Sequence, residues 1–298
     1  MSRTTWDDLP APVRAAIERE CGPVARADHP SAGRNSDLSA TLHTSRGLVF
    51  CKGIANAGGR RGQMHRHEAA VNQWLPRNFT PRLQWQGAAG GWLLLGFDHV
   101  AGHYADLSPG SPDLPLVTEA VNAVAREPAN RPTEVPRLAD KMAWMAGWRR
   151  LRHDPPAALD AWSRERLDLL VQLEGRGISA AAGESLLRTD LHPLNILVAD
   201  RARVIDWAWS RLGAPWIDAA HLVVRLMDQG HTPAQAEQWA ATTVASPAAT
   251  REELTGFAVA LLGMWTCLEH HDPQPQRPRL TAVARTWAQH RLATVTAA

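Results

Sequence analysis

"LLRTDLHPLNILVADRARVIDWAW", residues 186–209, sets three polar residues, Asp190, Asn195 and Asp206, around two short apolar runs. "ILV" (196–198) and "RVI" (203–205) are joined by turn-like "ADRA" (199–202), a β-hairpin pattern. In the simplest register residue 198 pairs with 203 and 196 with 205, which puts Asn195 opposite Asp206. Directly opposed residues of an antiparallel pair have Cα atoms roughly 4.5–5.5 Å apart, so an amide oxygen and a carboxylate converge at the open end. Two hard oxygen ligands suit a magnesium ion, which takes one or two protein ligands plus phosphates and water. Asp190 stands on the loop entering the hairpin, five residues before Asn195, with Pro193 limiting its freedom, and is expected to face the same pocket.

Outward from the hairpin the pattern is helical, with spans expected near 114–127, 137–152, 157–174, 216–229, 233–245, 251–270 and 279–296. Ahead of it, "HVAGHYADLSPGSPDLP" (99–115) reads as a linker. The chain before that linker reads differently. A helix over 10–21 is followed by the loop "HPSAGRNSD" (29–37) and by alternating runs at 38–42 and 48–53, then a helix over 63–75 and a second hairpin around "GAAGG" (87–91). The expected fold is α+β: a small β-rich lobe over 1–98 and a larger, mostly helical lobe over 99–298.

Only two of the 32 basic residues are lysine, Lys52 and Lys141. Arg is a broad planar fork and Lys a compact point charge, so a lysine kept in so Arg-rich a chain suggests one narrow contact. Lys52 ends an expected strand, and Glu68 lies in the apolar stripe of Met64, Val71 and Leu75 on the helix that follows. A carboxylate there is costly to bury unless a cation meets it. A Lys52–Glu68 ion pair is therefore expected.

Composition excludes several classes. At 45% hydrophobic and 21% charged the chain is an ordinary globular one. Its three cysteines, at distant spacings, suggest buried thiols rather than a disulfide framework or a zinc ribbon. A net charge of +2 with scattered basic residues argues against nucleic-acid binding. The start "MSRTTWDDLP" has no apolar leader core, and the run at 256–268 is too short to cross a bilayer, so a soluble, cytoplasmic protein with no membrane partner is expected. Nothing in the sequence sets an oligomeric state.

A strand Lys, a helix Glu, Asp-x-x-x-x-Asn and a second Asp, in that order over about 31–220, resemble the protein-kinase-like phosphotransferases. "DLHPLNILV" with "VIDWAW" is similar to the aminoglycoside phosphotransferase branch. The resemblance implies ATP, or GTP, with magnesium as cofactors. It implies that Lys52 binds the α- and β-phosphates, that Glu68 holds Lys52, and that Asn195 and Asp206 bind magnesium. Asp190 would be the catalytic residue, receiving or aiming the acceptor hydroxyl. With a reference pKa near about 3.9 its main work would be orientation. "SAGRNS" (31–36), with Gly33, Asn35 and Ser36, takes the phosphate-covering position, and backbone groups near Asp98 and Val100 meet the adenine edge.

Two departures stand out. Arg188 occupies the position of the family's usual His. It would be either a cation that keeps Asp190 ionised or contacts a phosphate, or a surface side chain. Only eleven residues separate Asp206 from Asp218, with no Ala-Pro-Glu segment, so a peptide platform does not fit and the acceptor is a small molecule.

Blander roles suit other residues. Asp218 is expected to cap the next helix and brace the catalytic loop, His192 to be a packed histidine, and Trp144 and Trp148 to be core. "MHRHEAA" fails as a zinc motif because residue 71 is Val71. "EHHD" (269–272) contributes Glu269, His270 and Asp272, together with Arg188, as candidate acceptor contacts. From Trp207 onward seven acidic residues balance seven arginines, which argues against a polycationic aminoglycoside and for a neutral or singly charged hydroxyl compound. The functional expectation is an antibiotic-resistance or self-protection kinase. The alternatives are a metabolic kinase of choline, sugar or nucleoside type and an inactive nucleotide-binding module.

Overall fold

The computed structural model describes residues 4–30, 35–126 and 135–296, and the chain divides into two units. The first comprises Met1–Ala105 with Pro193–Ser210, and the second Asp106–His192 with Arg211–Ala298. A single cut at 98/99 would assign 193–210 to the helical part. By its contacts this hairpin groups with the strand-rich part, because it pairs with His103 and Tyr104.

In chain order the first unit runs α1 (Ala11–Cys21), β1 (Val24–Asp28), β2 (Leu38–Thr44), β3 (Gly47–Ile54), α2 (Arg60–Asn72), β4 (Leu83–Ala89), β5 (Trp92–Asp98) and β6 (His103–Tyr104). The second unit takes over with α3 (Asp113–Arg126), α4 (Leu138–Trp144), α5 (Gly147–His153), α6 (Ala161–Glu165), α7 (Leu167–Ala180) and β7 (Ser185–Leu187). The chain returns to the first unit for β8 (Ile196–Val198) and β9 (Ala202–Val204), then closes in the second with β10 (Arg211–Gly213), α8 (Ile217–Asp228), α9 (Pro233–Ala241), α10 (Arg251–His271) and α11 (Arg277–Thr296).

Alternation along β3 organises the first unit. The five-stranded antiparallel sheet has the order β1-β2-β3-β5-β4. Val49 and Cys51 join Leu38, Ala40 and Leu42 on the face covered by Val13, Ile17 and Cys21 of α1. Phe50 and Ile54 lie on the other face, where Leu93, Leu95 and Phe97 meet Ala69 of α2. Because side chains alternate with period two, Lys52 falls on the face that meets α2. Strands β6, β8 and β9 form a second, three-stranded sheet. Part of the expected linker is thus a strand. Gly102, at φ 135°, lets it pass Val198, whose carbonyl oxygen would lie 2.3 Å from any Cβ there.

In the second unit α10 is the central helix. Gly147 of α5 meets Gly263, and Gly177 of α7 meets Gly256, at distances that leave no room for a Cβ at either crossing. Phe257 makes edge contacts with Trp216, His221 and Trp287 at 5.4, 5.2 and 6.4 Å between ring centroids. The helix expected over 137–152 breaks at Met145 and Ala146. Trp148 is fully buried while Trp144, on the short α4, is 69% exposed, so only one of the two tryptophans is core. The span expected over 157–174 likewise divides into α6 and α7. All three cysteines are buried thiols. Among the described residues no helix is long and apolar enough to cross a membrane.

Candidate active site

The expected Lys52–Glu68 pair forms. Lys52 Nζ donates to Glu68 Oε1 at 2.7 Å and Oε2 at 2.9 Å, and to Asp206 Oδ1 at 3.0 Å. Lys52 and Glu68 are 8% and 2% exposed, so each charge depends on the other for the solvation it has lost. Burial pushes against the Lys52 ammonium, yet Asp206 and Glu68 outweigh it and hold its pKa above the ordinary lysine value. Glu68 Oε1 also accepts the Trp207 N–H at 3.1 Å, which ties α2 to the residue after Asp206.

The hairpin carrying Asp206 is one residue out of the expected register. Val198 pairs with Ala202 and Ile196 with Val204, so Asn195 does not face Asp206 directly. Ala202 is buried and belongs to the strand, which shortens the turn to 199–201. The Ile205 N–H donates to the Asn195 carbonyl at 2.9 Å, one residue before Asp206. Asp206 then takes φ 62°, ψ 67°, a left-handed conformation that aspartate and asparagine tolerate better than other non-glycine residues. That turn, not the strand register, accompanies the contact of its carboxylate with Lys52.

The stretch expected to cover the phosphates is described only in part: Gly33 lies outside the described residues, and Asn35 is half-buried. Ser36 Oγ is 3.0 Å from His65 Nε2, and His65 Nδ1 is 2.9 Å from the Arg61 carbonyl. Since Nδ1 must donate to that carbonyl, a neutral His65 accepts from Ser36. Burial pushes the His65 pKa down and favours this neutral form. Val100 is half-buried, and the Asp98 N–H is already engaged by the Arg82 carbonyl at 2.9 Å.

In the second unit the loop before Asp190 is held by one buried acid. Asp218, 4% exposed, accepts the Arg188 N–H at 2.7 Å and the Thr189 N–H at 2.9 Å. Thr189 has φ 60°, a conformation costly for a β-branched residue unless its surroundings enforce it. Asp218 lies inside the first turn of α8 rather than at its N-cap, so it braces the loop and does not cap the helix. Burial raises its pKa to about 6, partly opposed by the two N–H groups and the Arg188 charge. Arg188 is 1% exposed, which removes the surface reading and sets its charge near Asp218.

Asp190 keeps 43% of its side chain exposed, with Arg225 Nη2 at 4.0 Å and His192 Nε2 at 3.9 Å. Arg225 was not legible as a partner from sequence spacing alone, although it lies two helical turns beyond Asp218 on α8. It also stacks over Trp265 at 5.5 Å. Glu269, His270 and Asp272 sit at the C-terminal end of α10. Asp272 there takes Arg277 at 3.0 Å, and the same guanidinium bonds the Leu268 carbonyl. Among the described residues no group of three or more His, Cys, Asp or Glu gathers as a metal site.

The chain matches the phosphotransferase enzyme family over residues 116–257, a stretch that contains Asp190, Asn195, Asp206 and Asp218. No curated protein matches it. Its fold is similar to that of an aminoglycoside phosphotransferase from Alicyclobacillus acidocaldarius, at 16% identity, 98% of this chain and 97% of that one covered, and a TM-score of 0.63. Choline kinase LicA from Streptococcus pneumoniae is similar at 11% identity, 93% and 99% coverage and a TM-score of 0.60. An aminoglycoside phosphotransferase from Streptomyces rimosus, in complex with ADP and streptomycin, is similar at 18% identity, 94% and 99% coverage and a TM-score of 0.52. At such identities the likeness establishes the fold, a kinase-like α+β arrangement of a strand-rich and a helical part. The fold is thus kinase-like, and within it residues 116–257 match the model of the phosphotransferase enzyme family.

Proposed function

We propose that the protein is a small-molecule kinase that moves the γ-phosphoryl of ATP, or of GTP, to a hydroxyl group with the help of magnesium. The observation that carries this reading is the buried Lys52 ammonium held by Glu68 and Asp206. A compact cation fixed by two carboxylates suits a nucleotide's phosphates, whose charge it would offset without reorganising. Asn35 and Ser36, with Gly33, would cover the phosphates, and backbone near Asp98 and Val100 would meet the base.

Asn195 and Asp206 fit magnesium by donor chemistry, an amide oxygen and a carboxylate; the Ile205 N–H, one residue before Asp206, bonds the Asn195 backbone carbonyl. Bound there, magnesium would neutralise developing charge on the phosphates. Asp190 would aim the acceptor oxygen. As the oxygen–phosphorus bond forms and the bond to the leaving nucleoside diphosphate breaks, the hydroxyl proton passes to Asp190 or to water. Arg225 and His192 would limit where that carboxylate points.

An antibiotic is the acceptor class we favour, with localisation in the cytoplasm where ATP is supplied. The fold neighbours also include a choline kinase, which keeps a metabolic acceptor as the second reading. The test is a panel of antibiotics, choline, sugars and nucleosides incubated with ATP and magnesium and read by mass spectrometry. Gain of one phosphoryl group by a hydroxyl compound is expected. Nucleotide binding with no transfer to any member would favour an inactive binding module instead.

A further inference from the structure

The second unit contains a cavity of about 60 Å³ between α4, α7, α8 and α10. Its wall is largely apolar: Leu138, Met142, Met145, Leu261 and Met264 supply much of it, so three of the chain's six methionines meet here. Methionine is unbranched and adapts to irregular shapes, a property suited to a binding wall. Thr189, the residue before Asp190, also lines the cavity, which brings its edge to the loop that carries the acid.

Three polar side chains set its chemistry. His221 faces in from α8, and its Nδ1 is buried with no hydrogen-bond partner. A buried ring nitrogen left unsatisfied is costly, and a ligand group that pairs with it recovers that loss. Burial pushes the His221 pKa down to about 4, so the ring is neutral at pH 7 and offers a hydrogen bond rather than a charge. Glu174 is the cavity's acid, but its oxygens already accept the Trp148 and Arg149 N–H groups at 2.9 and 3.0 Å, and burial raises its pKa. Lys141, the second of the chain's two lysines, gives the wall its positive charge. One turn beyond His221, Arg225 faces Asp190 at 4.0 Å and offsets the charge that would otherwise attract an ammonium group.

We infer that this cavity is the subsite for an apolar part of the acceptor, with His221 as its hydrogen-bond partner, and that Lys141 makes it select neutral or anionic hydroxyl compounds over ammonium-bearing ones. The inference rests on the kinase reading above, but its test does not require turnover.

The experiment uses the full chain with ¹³C-methyl methionine, titrated with three matched probes: neopentyl alcohol, its carboxylate analogue hydroxypivalate, and its primary-amine analogue. Methyl shifts at Met142, Met145 and Met264, with Met64 and Met227 unmoved, are expected for the alcohol and the carboxylate. The amine should bind at least about tenfold more weakly than the carboxylate. Lys141→Gln should remove that preference while leaving the alcohol's shifts in place. Equal or tighter binding of the amine, a preference that survives in Lys141→Gln, or silence of all three methyls with every probe would overturn the inference. Phosphoryl transfer in the acceptor panel is scored separately, so methyl shifts without transfer would count against the kinase reading and not against the subsite.

Discussion

Glu68 is 2% exposed and meets Lys52 at 2.7 Å, whereas the Asp190 side chain is 43% exposed and its pairs with Arg225 and His192 span 4.0 and 3.9 Å. The first unit fixes its charges by pairing side chain with side chain across β3, α2 and the turn after β9. In the second, a carboxylate holds the backbone: Asp218 binds the N–H groups of Arg188 and Thr189, and the next side chain, Asp190, stays partly exposed. The contrast fits two tasks. A cation that must offset phosphate charge gains from rigid preorganisation. A carboxylate that must meet a varying hydroxyl needs a fixed backbone and an accessible oxygen.

Removing Asp190 should break the second half of this comparison most severely. Asp190→Ala is expected to lower kcat by about a thousandfold or more in a phosphoryl-transfer assay, since both aiming and proton acceptance are lost. A loss under about tenfold would place the acceptor elsewhere.

Lys52→Arg keeps the charge and tests the geometry of the first half. The broader guanidinium cannot occupy the point that Nζ holds between Glu68 and Asp206, and kcat/KM should fall by about a hundredfold. Activity within a few-fold of the parent would mean that charge alone matters there.

Asp218→Asn sharpens the contrast, because the amide offers one acceptor oxygen for two backbone donors. One N–H should be left unsatisfied, at about 1–3 kcal/mol, with kcat reduced by about tenfold and nucleotide affinity unchanged. Calorimetry showing nucleotide affinity falling in step with kcat would contradict a brace that acts only on the acceptor side.

The smallest expected effect is on the pH dependence of stability. The folded chain raises the Asp218 pKa to about 6, so it binds that proton more tightly than the unfolded chain. This contribution is fully present below about 3.8 and is lost as pH rises to about 6. His221 works the other way: its folded pKa, lowered to about 4, costs stability as pH falls below about 6.5. The two oppose each other at about 3 kcal/mol each, so the parent should show a shallow profile over this range. His221→Phe should gain stability relative to the parent as pH falls from 7 to 4.5, read by urea denaturation. A constant difference across that range would contradict the half-buried, neutral ring.

The strand-rich sheet, the helix facing it and the Lys52–Glu68 pair were legible because alternation along residues 48–53 and a carboxylate in an apolar stripe are local patterns with one inexpensive solution. The hairpin was legible but not its register, since a buried Ala202 reads as a turn residue until its neighbours are known. The left-handed turn at Thr189 had no local signal, because a β-branched residue does not announce a positive φ, and the one at Asp206 had only the mild tolerance of aspartate for that conformation. Arg225 and His221 were missed for a related reason: both lie on α8, and only tertiary packing brings them to Asp190 and to the methionine-lined cavity. Trp144 was misread as core because the break at Met145 and Ala146 carries no proline or glycine before Gly147.

The division of labour between the two units is tested most directly by calorimetric titration of ATP with magnesium into Asp190→Ala and Asp206→Ala, each checked for native folding by circular dichroism. Asp190→Ala should bind the nucleotide within about threefold of the parent, while Asp206→Ala should lose at least about tenfold, and only when magnesium is present. Loss of nucleotide affinity in Asp190→Ala, or magnesium-dependent binding unaltered in Asp206→Ala, would contradict the account.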